Sequence, residues 1–317
     1  RMFFAYGGSF LALFLWEPLT NMFGGYKTPE GWFWAMCVIA AACFVMFIIC
    51  FLLTKEHLKT VSTVSIGDDF ASLLKNKPWW LLIGAALCSN LFNTVRGATV
   101  AYFFVDIIGS DVSLSFMGMT FLFYAGLFLG IGEVSNMAGV ALCVPIANKL
   151  GKKTTFIIVN ALLLVFSVMF FFIPITPSGF WMMLIFQVII SILTGVMSPL
   201  IWSMYADVSD YAELEFRTAS TGLIFSSASM AQKFGGAIGG AAVLWLLSGF
   251  GYITDSAQVA AGVVQPESAL LVLRWLMSFI PAAVAALAVV VVWFYPLTTK
   301  RVDEISEKLK TMREIEE

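Results

Sequence analysis

The 317-residue chain alternates between long apolar runs and short polar ones, the apolar runs falling at 2–20, 32–53, 79–108, 116–147, 154–175, 180–206, 219–248 and 270–296. A bilayer core ~30 Å thick takes roughly 20 helical residues to cross, so the pattern predicts about eight membrane-spanning helices. Two of the runs are rich in glycine: Gly118, Gly126, Gly130, Gly132 and Gly139 in one, Gly222, Gly235, Gly236, Gly239 and Gly240 in the other. Small residues at this spacing let helix backbones approach closely. They serve either tight static packing or an interface that slides as helices rock.

The polar stretches segregate charge. Lys55, Lys59, Lys75 and Lys77 lie in 54–78, Lys149, Lys152 and Lys153 in 148–153, Arg217 in 207–218, and Lys300, Arg301, Lys308, Lys310 and Arg313 in the tail. Only Lys27 lies in 21–31, and 109–115, 176–179 and 249–269 hold no lysine or arginine. Basic loops stay on the cytoplasmic side of a membrane. The alternation therefore predicts a cytoplasmic C-terminus, with Arg1 at the cytoplasmic end of the first helix and the tail 300–317 a solvated cap.

Composition agrees with the pattern: 60% of residues are hydrophobic, 12% are charged, and the mean hydropathy is +0.91. A soluble domain of this size needs more polar surface than that. The expected class is an all-α polytopic membrane protein in contact with a lipid bilayer, and the net charge of −2 gives no reason to expect nucleic acid. Cys37, Cys43, Cys50, Cys88 and Cys143 fall in apolar runs without C-x-x-C spacing and read as packing residues. The single histidine, His57, has no metal-ligand spacing around it, so an enzyme is not expected.

Ionisable residues inside spans carry the candidate chemistry, because they persist there only where they pair, meet water or contact a solute. Arg274 starts the last span and can snorkel outward; Asp106 sits near the outer end of its helix; Glu17 lies in the first span. Arg96 and Glu133 are deeper and on adjacent spans, so either they form an ion pair or they line a solute cavity. Lys233 lies about 22 Å into its span at ~1.5 Å per residue. No acidic residue shares its helix, so it faces a water-filled cavity or a carboxylate on another helix. A further cluster, Asp207, Asp210, Tyr211, Glu213 and Arg217, follows the sixth run. The carboxylates are spaced i, i+3, i+6, so a continued helix would place the first two on one face, open to basic neighbours.

The run Ala206-Asp207-Val208-Ser209-Asp210-Tyr211-Ala212-Glu213, with Gly222, Ser226 and Lys233-Phe234-Gly235-Gly236 after it, resembles the signature between the tenth and eleventh helices of the glycoside-pentoside-hexuronide:cation symporters, the melibiose permease-like branch of the major facilitator superfamily. Arg1, Phe3-Phe4, Pro18, Asn21 and Gly24-Gly25 resemble that family's fifth helix and following turn, and Lys149-Leu150-Gly151-Lys152-Lys153 its basic cytoplasmic turn. The resemblance implies a partial major facilitator fold running from helix five to helix twelve. Residues 1–53 would be the last two helices of the N-terminal bundle, 54–78 a cytoplasmic interdomain loop, 79–299 the C-terminal six-helix bundle and 300–317 a cytoplasmic tail. Helices one to four of the family would lie outside this chain, which opens on Arg1 instead of a methionine.

The resemblance further implies a secondary active transporter in the plasma or bacterial inner membrane, moving a small-molecule sugar with sodium or a proton by alternating access. Arg1, Lys233 and Arg96 are then the expected substrate contacts, and Asp207, Asp210, Tyr211, Glu213 and Arg217 a cytoplasmic gate. No cofactor or metal is expected beyond the coupling ion, whose site the resemblance puts on the absent helices; the oligomeric state is open. Departures from the family pattern are Ser198 where a ring-stacking tryptophan is usual, with Trp202 one turn on, Arg217 displaced from the family's arginine, and Asp106 replacing an aromatic residue. The acidic residue at 106 favours a neutral glycoside or pentoside over a hexuronide. The alternatives are a carrier of amphipathic lipid, as elsewhere in the broad family, and a non-transporting membrane sensor.

Overall fold

The computed structural model describes residues 2–25, 28–54, 66–109, 112–116, 119–123, 125–217, 221–254 and 264–316. Its helices are α1 (Met2–Met22), α2 (Pro29–Leu53), α3 (Ile66–Lys75), α4 (Lys77–Phe103), α5 (Ala125–Leu150), α6 (Lys152–Phe171), α7 (Pro177–Phe216), α8 (Thr221–Gly249), α9 (Glu267–Met277), α10 (Phe279–Trp293) and α11 (Thr299–Glu316). Eight described helical segments are long and apolar enough to cross a membrane, α9 and α10 together forming one of them. The eight expected spans are thus present and the class is all-α and polytopic.

Four boundaries differ from the pattern-based reading. The run at 116–147 begins helical only at Ala125; before it, β1 (Val112–Phe116) and β2 (Met119–Phe123) pair antiparallel, with Val112 opposite Phe123. Val-Ser-Leu-Ser-Phe at 112–116 alternates with period two, which a strand accommodates and an averaged hydropathy window conceals. α6 stops at Phe171, ahead of Pro174 and its surrounding turn. α7 does not stop at 206 but continues to Phe216, 40 residues in all. That is about 60 Å at ~1.5 Å per residue, twice a bilayer core, so its last turns stand outside the membrane. Ala212-Glu213-Leu214-Glu215 favours helix, and Arg217, at φ 53 in the left-handed region, ends it. The last span breaks at Ser278 (φ −131, ψ −82), three residues before Pro281.

Helix pairing follows the glycines. α5 packs most extensively on α7, α4 on α8, α1 on α5, and α10 on both α6 and α4. A Cβ at Gly139 would strike the Ile192 carbonyl and one at Gly195 the Asn136 carbonyl, so α5 and α7 touch backbone to backbone. Gly235 and Gly239 similarly let α8 lie against Asn90 and Thr94 of α4. Apolar side chains cover the outside, as lipid contact requires: Trp245, Phe47 and Phe51 are each at least 75% exposed.

Two amphipathic helices close one end of the bundle. Leu73 of α3 and Ile305 and Leu309 of α11 are buried in the same apolar cluster as Leu200, Met204, Val208 and Ala212 of α7. The tail is therefore docked over part of its length, whereas its charge alternation alone reads as fully solvated.

Candidate functional site

A cavity of about 220 Å³ opens between α1, α4, α5 and α7. Its polar lining sits at helical spacings: Asn93 and Arg96 on α4, Glu133 and Asn136 on α5, and Gln187, Ser191 and Thr194 on α7, with Tyr6 entering from α1. At ~30 Å³ per water it has room for about seven waters, below the ~300 Å³ lower bound usual for drug-sized ligands. That volume suits a small polar solute. Gly132 makes the space, because a Cβ there would press on Gln187 Nε2 at 2.8 Å and Ser191 Oγ at 3.0 Å.

Arg96 is the fixed charge of this cavity and is 6% exposed. Its Nη1 donates to the Met277 carbonyl at 2.6 Å and its Nη2 to Gln187 Oε1 at 3.1 Å. The guanidinium also lies over the Phe170 ring, 5.1 Å from the centroid. The Met277 acceptor exists because of Pro281: four residues on, proline has no N–H to give that carbonyl. The break at Ser278 thus supplies a partner for Arg96.

Glu133 does not pair with Arg96. Among the described residues its carboxylate receives hydrogen bonds from Ser9 of α1 and, at 3.4 Å, from Asn136 Nδ2. Asn136 Oδ1 in turn accepts from Thr194 Oγ1 at 2.8 Å. Of the two readings open in the sequence, ion pair or shared cavity, the geometry is that of a shared cavity. Tyr6 hydrogen-bonds Ser198, the position noted above as departing from a ring-stacking tryptophan. Trp202 stacks instead on Phe225, at 5.8 Å and 6°.

Lys233 is elsewhere. It is exposed on α8, on a different face from Gly235 and Gly239, and makes no ion pair with any described residue. The structure therefore does not bring it together with Arg96. Arg1 lies outside the described residues, and so does Glu17's side chain. At the end of α4 away from the lysine turn, Asp106 accepts a hydrogen bond from Tyr252 at 2.6 Å within a π-helical turn, Phe104–Ile108. Burial, and then that carboxylate, push the Tyr252 hydroxyl well above its usual range. Arg274 donates to the Phe171 carbonyl at 2.6 Å and covers its ring instead of simply snorkelling.

The acidic cluster meets the basic turn. Gly151, at φ 81, separates α5 from α6 and presents two lysines in opposite directions. Lys152 Nζ bonds both oxygens of Asp207, at 2.7 and 2.8 Å. Lys153 Nζ bonds the carbonyls of Trp293 and Tyr295 at 2.8 and 2.7 Å. Ser209 and Thr221, 2.6 Å apart, tie the end of α7 to the start of α8. Asp210, Tyr211 and Glu213 continue the same extended helix, and Arg217 is its cap.

Sequence reasoning passed over Tyr6, Asn136, Gln187, Ser191 and Thr194. The signal was available: Gln187, Ser191 and Thr194 recur at i, i+4, i+7 inside an apolar run, a polar stripe on one helical face.

A membrane-embedded chain of the all-α class with a polar cavity between its helices has the build of a transporter. Residues 1–299 match the family described as MFS/sugar transport protein, and the chain belongs to that family. It is 30% identical to the inner membrane symporter YicJ of Escherichia coli over 311 residues, covering 98% of this chain and 64% of the relative. It is 29% identical over 290 residues to the glucuronide carrier protein homolog of Escherichia coli, covering 90% of this chain and 58% of that one. The crystal structure of the Escherichia coli fucose:proton symporter superposes with a TM-score of 0.56 at 15% identity, over 94% of this chain and 68% of that one. The resemblance to the glycoside-pentoside-hexuronide:cation symporters is borne out, and the family is one of transporters, not enzymes. The chain spans less than two-thirds of the length of these curated relatives.

Proposed function

We propose that this protein is a secondary active transporter that carries a sugar, such as a glycoside or pentoside, together with sodium or a proton by alternating access. The observation that carries this reading is the cavity around Arg96, which α1 closes on one side and α4, α5 and α7 on the other. In this reading 1–53 belong to one bundle, 79–299 to the other, 54–78 link them, and solute binds at the boundary. The amides and hydroxyls of Asn93, Asn136, Gln187 and Ser191 suit the many donors and acceptors of a sugar. Arg96 and Glu133 balance each other in formal charge when both are ionised, which favours an uncharged sugar over an anionic one.

Arg1 and Lys233 join the solute path only when the two bundles come together. In this reading the Lys152–Asp207 pair, with Asp210, Tyr211, Glu213 and Arg217 on the same helix end, is the cytoplasmic gate, and the C-terminus lies on the cytoplasmic side of a bacterial inner or other plasma membrane. The sugar-transport family and the relative that is a glucuronide carrier protein homolog support sugar as the solute.

The test is uptake of radiolabelled glycosides, pentoses and hexuronides into vesicles holding the protein, with and without an imposed sodium or proton gradient. Gradient-dependent accumulation of one sugar is expected. Correctly inserted protein that accumulates none of them would overturn the reading in favour of a lipid carrier or a sensor.

A further inference from the structure

Glu133 is a carboxylate inside the membrane that has no basic partner among the described residues. It lies eight residues from the start of α5, about 12 Å along the helix at ~1.5 Å per residue. A charge held at such depth is costly unless it is used. The charged and titratable described groups that line the cavity with it are Tyr6 from α1 and Arg96 from α4; α7 presents only neutral groups, and α6 lines none of the cavity. Tyr6 is engaged by Ser198, and Arg96 by Met277 and Gln187.

The hydrogen bonds around Glu133 admit two arrangements. Thr194 has one hydroxyl proton and two acceptors in reach, Asn136 Oδ1 at 2.8 Å and the Ser191 carbonyl at 3.0 Å. With Glu133 ionised, Asn136 Nδ2 donates to it and Asn136 Oδ1 takes the Thr194 proton. With Glu133 protonated, its O–H donates to Asn136 Oδ1, the turned amide donates to Thr194 Oγ1, and Thr194 gives its proton to Ser191. Every donor finds an acceptor in both, since an amide and a hydroxyl can each exchange roles. The chain of contacts begins at Ser9 on α1 and ends on α7, so it spans the cavity wall.

We propose that Glu133 is the proton-coupling group of this transporter, an inference that rests on the transport reading above. One O–H bond forms on the carboxylate from a proton of the outer water, cancelling its charge. The same bond breaks on the other face, and the proton passes to water there. A proton suits this network because both protonation states of Glu133 leave every donor with an acceptor. The site lies on α5, apart from the helices that the family resemblance assigns to the coupling ion.

The experiment has two arms on the protein reconstituted in lipid. In the first, infrared difference spectra are recorded across pH; the carbonyl band of a protonated carboxyl group should titrate in the wild type and be missing from Glu133→Gln. An identical titrating band in Glu133→Gln overturns the assignment, whether or not any sugar is carried. In the second, uptake and exchange of labelled methyl β-D-xyloside and methyl β-D-glucoside are followed under a pH gradient. Glu133→Gln should lose at least ten-fold in gradient-driven accumulation and its exchange should become independent of pH, while Glu133→Asp, still titratable, keeps a pH response. Accumulation driven by sodium alone, or an unchanged pH response in Glu133→Gln, overturns the proposal. Failure of both sugars in the wild type sinks the transport reading for these solutes and leaves the infrared arm to decide Glu133.

Discussion

Lys152 Nζ sits 2.7 Å from Oδ1 and 2.8 Å from Oδ2 of Asp207, gripping both oxygens of one carboxylate. The Asp207 side chain is 9% exposed and that of Lys152 35%. Loss of either partner should cost more than the ~1 kcal/mol of an exposed pair and less than the ~3–5 kcal/mol of a fully buried one, about 2 kcal/mol. Lys152→Ala should be the worse single variant, because it strands the more buried Asp207 carboxylate beside Asp303, whereas Lys152 is the more exposed partner. Thermal unfolding of Lys152→Ala, Asp207→Ala and the double variant in detergent gives the coupling. Additive losses would mean that the two groups do not interact.

The close approach of α5 and α7 sets up a contrast between glycines. Alanine at Gly139 drives its methyl into the Ile192 carbonyl, a backbone atom that cannot turn aside. Gly139→Ala should therefore destabilise by about 1–3 kcal/mol and widen the gap that places Asn136 beside Thr194. At Gly240 a Cβ meets nothing within 4 Å. Gly240→Ala should be neutral or gain up to ~1 kcal/mol from helix propensity. Melting temperatures of the two variants check this, and a neutral Gly139→Ala would contradict the packing described.

The contrast shows what apolar patterning conveys and what it omits. The eight spans were legible because lipid tolerates so little polarity that a run of twenty apolar residues has few alternatives. Which glycine touches what was not, since Gly235 and Gly240 look alike until α4 is placed against one of them. The acidic run 207–213 read as a loop because it is polar, yet helix propensity carries α7 through it and out of the bilayer. At 112–116 a hydropathy average masked a period of two. Arg96 and Glu133 stood out as ionisable, but the neutral Gln187, Asn136 and Thr194 that shape their cavity carry no such flag. The carbonyl that Arg96 uses depends on a proline 185 positions away in the chain.

Tyr252 and Asp106 form a pH-sensitive contact at the opposite end from the lysine turn. The Tyr252 hydroxyl donates to Asp106 Oδ2 at 2.6 Å, and burial, the carboxylate and Tyr102 all keep it protonated above its ordinary value of 10.0. The folded form then prefers the protonated phenol. The contact's stability is complete below about pH 10 and is lost as pH rises through the elevated folded value. Tyr252→Phe should cost about 1 kcal/mol at neutral pH and show a shallower alkaline decline than the wild type. Unfolding midpoints between neutral and strongly alkaline pH measure both effects, and parallel curves would remove Tyr252 as the cause.

Arg96, Met277 and Pro281 make one unit, and its parts can be tested separately. Pro281 leaves the Met277 carbonyl without an intrahelical donor, and Arg96 Nη1 fills it at 2.6 Å while Nη2 holds Gln187 at 3.1 Å. Lysine cannot span both acceptors with one ammonium, so Arg96→Lys should fail almost as fully as Arg96→Ala. Hydrogen bonds to a charged group contribute ~1.5–3 kcal/mol, which translates to a loss of about ten- to hundred-fold in apparent solute affinity. Pro281→Ala restores an N–H four residues after Met277, which can compete with Arg96 for that carbonyl and draw α9 and α10 toward one continuous helix. Its effect should be smaller, a several-fold weakening, because Gln187 and the Phe170 ring still hold the guanidinium. Binding titrations on the three variants order them. Should Pro281→Ala bind as tightly as the wild type while Arg96→Lys does not, the broken helix is dispensable and the second amide contact alone positions the charge.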